Sequence, residues 1–90
     1  MKTIILDLEH MHSVPCLHKQ LRNALELPLY YGANLDALYD CLTDISEETE
    51  LVVPAAVADA EHLGWYGEQL LTVLQDAAKE NKNLKLTLKA

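Results

Sequence analysis

The feature that most constrains the fold is the wide spacing of three short apolar runs, Thr3–Leu8, Leu51–Val53 and Leu84–Leu88, with helix-patterned stretches between them. Strands separated by that much chain pair in parallel, because a parallel connection needs a dozen or more residues, usually a helix. Thr3–Leu8, rich in Ile and Leu, reads as a strand buried on both faces, as parallel sheets usually are. Leu51–Val53 reads as a second buried strand, ended by Pro54. Leu84, Leu86 and Leu88 then alternate with Lys85, Thr87 and Lys89, which predicts a strand with one solvated face at a sheet edge.

Between the strands the apolar period changes. Ser13 ahead of Pro15 marks a helix start, and Leu17, Leu21, Ala24 and Leu25 keep helical spacing until the chain nears Pro28. Gly32 and Asn34 supply a turn and an N-cap for a second helix, whose apolar stripe is Leu35, Leu38, Cys41 and Leu42, with Asp36, Tyr39, Asp40 and Thr43 opposite. Pro54 opens a third helix reaching about Leu63; Gly64 and Gly67 break the pattern, and Leu70, Val73, Leu74, Ala77 and Ala78 define a fourth helix to about Asn81. The expected fold is a small α/β domain over residues 1–90, a three-stranded parallel sheet packed with about four helices. At 50% hydrophobic residues the chain has enough apolar material for one core without a metal or disulfide staple.

Charge is distributed unevenly. The net charge is −7, and the stretch from Asn23 to Ala78 contains eleven Asp or Glu and no Lys or Arg. Such a surface does not suit nucleic acid, whose phosphates are bound by displacing counterions with basic side chains, and it favours a basic partner. Asp36, Asp40 and Asp44 recur every four residues; at about 100° per residue each step turns the helix by only about 40°, so the three carboxylates share a face. Like charges at that spacing cost a helix roughly 0.2–0.5 kcal/mol per pair, and only Asp36 is near the N-terminal end where the helix dipole favours an acid. Tyr30, Tyr31 and Tyr39 surround this face, and tyrosine is enriched at the cores of interfaces. Of these, Tyr31 is the candidate for a core residue with a satisfied hydroxyl.

Other chemistry is sparse. His10, His12, Cys16 and His18 carry metal-ligating groups, but their spacing does not converge, and no metal or other cofactor is expected. His18 reads as a partly buried helix residue, His10 and His12 as solvated, and Cys41 as a buried, inert thiol on the apolar side of its helix. Asp36, Asp40 and Asp76 could be catalytic carboxylates, yet no phosphate-binding glycine loop or calcium loop accompanies them, so an enzyme is not expected. Asp7 and Glu9 interrupt the apolar opening, which excludes a signal peptide, and no stretch approaches membrane-spanning length. Cys16 and Cys41 are then expected as reduced thiols in a cytoplasmic protein.

The run YYGANLDALYDCLT from Tyr30 to Thr43, together with LHKQL, LELP and LQDAAKEN elsewhere, resembles the barstar family of intracellular inhibitors of barnase-like ribonucleases. The resemblance spans the chain and is sharpest from Leu17 to Thr43. It implies a three-stranded parallel sheet with helices and inhibition by blockade, without chemistry. It also implies that Tyr30 packs near the catalytic histidine of the nuclease, that Asp36 lies at the rim of its active site, and that Asp40 enters that site in place of substrate phosphate. Asn34, Leu35 and Thr43 fall at further contact positions, and Asp76 where the family has a glutamate. The pattern departs at Tyr39 and Ile45, where tryptophans are usual, and at Asp44, where glycine is. The implied partner is a basic secreted ribonuclease, bound one to one by an inhibitor that is a monomer when free. An immunity protein against a different toxin with a basic active site, or a general acidic interaction module, are the alternatives.

Overall fold

The computed structural model describes residues 2–10, 12–28 and 31–89, apart from the side chain of His10. Strand β1 (Lys2–Ile5) is followed by helix α1 (Val14–Leu25), helix α2 (Leu35–Thr43), strand β2 (Thr49–Pro54), helix α3 (Trp65–Glu80) and strand β3 (Leu84–Lys89). Short 3-10 turns occupy Leu8–His10 and Ala55–Ala58. The sheet is parallel throughout, in the order β1-β2-β3, with Ile4 opposite Leu51 and Leu51 opposite Leu86. Among the described residues no helix is long and apolar enough to cross a membrane.

The helices all lie on one side of the sheet. Ile4, Leu6, Leu51, Val53 and Leu84 form a single buried cluster with Leu17 and Leu21 of α1, Leu38 and Leu42 of α2, and Leu70, Leu74 and Ala77 of α3. The alternate residues of each strand point away from this cluster. Ile5, opposite Val52, is 66% exposed, so β1 is a one-sided edge strand and not the doubly buried strand its apolar run suggests. Burial on one side is enough to order it, because strand side chains alternate and the Ile4–Leu6 set alone reaches the core. On the open side Thr87 Oγ1 donates to the Glu50 carboxylate at 2.7 Å, linking β3 to β2. Strand β3 is the other edge, as its alternation predicts, with Lys85 and Lys89 exposed. Lysines on an edge strand discourage pairing with another chain.

The segment after Pro54 also differs from expectation. Only Ala55–Ala58 is helical, as a 3-10 turn, and Asp59 is extended, so among the described residues there are three α-helices where about four were expected. The alanines favour a helix; packing overrides them. Gly67, read as a breaker, lies inside α3 and is pressed onto this turn, where a Cβ would stand 2.1 Å from the Val57 carbonyl oxygen. The same oxygen accepts the Leu63 N–H at 3.1 Å, a contact between residues six apart that no α-helix through 55–63 could make.

Candidate partner-binding surface

Helix α2 is held at both ends by asparagines. Asn34, extended at φ −138°, caps the start by accepting the Ala37 N–H at 2.8 Å and donating through its amide to the Gly32 carbonyl. At the other end the Asn81 amide, buried just beyond α3, donates to the carbonyls of Leu42 and Ile45, both at 2.9 Å, while its oxygen accepts the Asn83 N–H. The carbonyls at a helix C-terminus have no partner within the helix, so this one side chain closes the end of α2 and ties it to the turn before β3. Nothing in the local sequence around Leu42 announces it, since the donor is 39 residues away.

With both ends fixed, α2 presents two faces. Leu38 and Leu42 are fully buried, and Leu35 and Tyr39 pack partly buried against the core. Asp36 and Asp40 are exposed, as is Asp44, which is the C-cap and keeps a helical backbone at φ −89° and ψ −6°. Cys41 is half-buried, where a buried thiol was expected, because it lies at the border between the apolar stripe and the acidic face; burial first, then the Asp40 and Asp44 carboxylates, pushes its thiol above the usual range. Thr43 turns its hydroxyl inward to the carbonyls of Tyr39 and Asp40, at 3.1 and 3.0 Å. Among the described residues the ion pair found is Lys2 with Glu26 at 3.8 Å, well away in sequence from the three aspartates. Asp76 is exposed on α3, the helix against which α2 packs. Tyr30 lies outside the described residues, and His10 does so at its side chain.

The loop leading into α2 is anchored from below. His18, 2% exposed on α1, makes a hydrogen bond with the Tyr31 hydroxyl through Nδ1 and with the Tyr66 hydroxyl through Nε2 at 2.7 Å. Tyr31 is thus half-buried with its hydroxyl satisfied, as expected, and His18 is more deeply buried than its sequence suggested. The bridge joins α1, the loop before α2 and the first turn of α3 through contacts 13 and 48 residues apart. Burial lowers the His18 pKa from its ordinary value, and raises those of Tyr31 and Tyr66. The unfolded chain therefore takes up a proton on His18 at a higher pH than the folded one does. Stability is expected to fall as pH drops below about 6.5, by up to about 1.4 kcal/mol per pH unit, until the lowered folded pKa is reached. Urea unfolding of the wild type and His18→Gln between pH 8 and 5 measures this: the variant should lose that part of the slope, and identical slopes would contradict it.

His12 is exposed, and among the described residues no group of three or more metal-ligating side chains converges. What the surface offers is a helix capped at both ends, whose outward side is anionic and whose inward side is packed into the core. The chain is 38% identical over 84 residues to a Bacillus subtilis (strain 168) protein named "Putative ribonuclease inhibitor YrdF", covering 92% of each. The Barstar (barnase inhibitor) family matches it over residues 1–90. With its parallel three-stranded sheet, helices on one side and sequence match from end to end, the chain belongs to the barstar family.

Proposed function

We propose that this protein inhibits a basic, secreted barnase-like ribonuclease by laying α2 and the loop before it into the active site, in a one-to-one complex, while itself acting in the cytoplasm. The observation that supports this most is the row of Asp36, Asp40 and Asp44, exposed on a helix fixed at both ends and reached by no ion pair among the described residues. A ribonuclease stabilises phosphate charge with a concave cationic site, and a carboxylate on a rigid support can take the place of that phosphate. Asp40 is the central anchor in this reading, with Asp36 at the rim. Tyr30, Asn34, Leu35, Tyr39 and Thr43 contribute surrounding contacts, and Asp76 approaches from α3. Binding excludes substrate and involves no turnover by the inhibitor.

Asp44 gives the surface an acid beyond those the family pattern calls for, and supports a cognate target with a wider cationic rim, including a toxin other than a barnase-like nuclease. Titrating a purified basic ribonuclease with the protein tests the reading. Activity should reach zero at equimolar inhibitor, and the association rate should fall steeply with added salt, because complementary charge steers the encounter. Full nuclease activity at excess inhibitor, with a stable complex formed by a different basic toxin, would favour the immunity role instead.

A further inference from the structure

The Cys16 thiol, part of a groove unrelated to the acidic helix, is placed beside a base. Its Sγ lies 3.6 Å from His12 Nε2, and His12 Nδ1 lies 3.2 Å from the Glu9 carbonyl oxygen. A carbonyl only accepts, so Nδ1 is the donor and Nε2 carries the lone pair that faces the thiol. Nucleophile, base and a third group orienting the base are thereby in line. Cys16 also sits in the first turn of α1, its N–H bonded to the Ser13 capping hydroxyl. The side chains of His12, Cys16, Lys19, Gln20 and Asn23 border a groove of about 530 Å3, within the range of small-molecule sites. Lys19 brings a positive charge to it.

We propose that Cys16 is a thiol-modification site that reacts with low-molecular-weight disulfides carrying carboxylate groups, with His12 as base and Lys19 drawing the anionic disulfide into the groove. His12 Nε2 takes the thiol proton, and the Cys16 sulfur attacks one sulfur of the disulfide. A new S–S bond forms to Cys16, the original S–S bond breaks, and the departing thiolate receives the proton back from His12. Cys16 is oxidised to a mixed disulfide and one half of the reagent is reduced to its thiol, so atoms and electrons balance. Cys41, half-buried like Cys16, serves as an internal comparison, because its thiol is pushed up by burial and by Asp40 and Asp44.

Incubating the full chain with oxidised glutathione, and in parallel with the uncharged hydroxyethyl disulfide, followed by peptide mass mapping, tests the site. Cys16 should be modified first, about tenfold or more faster than Cys41, and His12→Ala should slow it by about tenfold. Lys19→Gln should slow the reaction with oxidised glutathione and leave that with hydroxyethyl disulfide unchanged. His12 and Lys19 are both exposed, so these variants are expected to retain the fold, which far-ultraviolet circular dichroism checks. Modification of Cys41 first, or an unchanged rate in His12→Ala, would overturn the site; equal effects of Lys19→Gln on both reagents would overturn the preference for anionic disulfides.

Discussion

Asp40→Ala is expected to weaken inhibition of the target ribonuclease by about 2–5 kcal/mol, roughly 30-fold to several-thousand-fold in Kd, because truncation leaves buried cationic groups of the nuclease without their counter-charge. The same change should not harm the fold. Asp40 is exposed, lies in the C-terminal half of α2 where the dipole opposes an acid, and is four residues from both Asp36 and Asp44. Removing it relieves two like-charge spacings, each worth roughly 0.2–0.5 kcal/mol, and alanine is the best helix former. Thermal stability should therefore stay level or rise while inhibition is lost. Glu61→Ala, in the exposed turn before α3, is the control: it removes the same charge from the molecule and should change Kd little. Equal losses for the two variants would mean that net charge, and not the position of Asp40, drives binding.

Gly67→Ala should act in the opposite way, through the frame. Helix propensity alone predicts a gain of about 1 kcal/mol, since Gly67 is inside α3. Sterics decide against it: the added Cβ would stand 2.1 Å from the Val57 carbonyl oxygen, 2.6 Å from its carbon and 2.8 Å from the Ala58 Cα. All three are backbone atoms, so no rotamer can relieve the clash, and either α3 or the 3-10 turn must move. Overpacking of this kind costs about 1–3 kcal/mol and sometimes more, and the absence of a flexible neighbour points to the upper end. For a domain of this size that is a fall in Tm of about 10–20 °C. A rise in Tm would show that the close approach of α3 to Val57 is wrong. Because α3 also carries Asp76 and runs into Asn81, inhibition should weaken along with stability.

The parallel sheet and the element order were legible because each strand announces itself by a short apolar run and each long gap by a helical period. The 3-10 turn at Ala55–Ala58 was not, because its alanines favour helix and the deciding contact is made by a glycine nine residues beyond the end of the turn. Gly67 looked like a breaker for the same reason: a missing side chain carries no sign of whether it marks a turn or a close approach. The exposure of Ile5 was hidden too, since an apolar run does not tell how many faces its neighbours cover. At the surface, Asp36, Asp40 and Asp44 could be read as one face because they obey a local period, and Asn34 as a cap because its partner is three residues away. Asn81 and the His18–Tyr66 bond could not, because their partners are 36 to 48 residues distant and only the folded chain brings them together.

The closure of α2 by Asn81 bears on what the smallest working unit of this protein is. A nine-residue helix is shorter than the roughly 12–15 residues at which isolated helices become even marginal in water, and this one carries acids where its own dipole resists them. Excised as a peptide, residues 34–44 would keep Asp36, Asp40 and Asp44 and lose the shape that aligns them. Shortening the protein toward the proposed recognition segment would thus be expected to remove inhibition well before it removed charge. An amide from the far end of the chain is as much a part of the proposed binding element as the aspartates themselves.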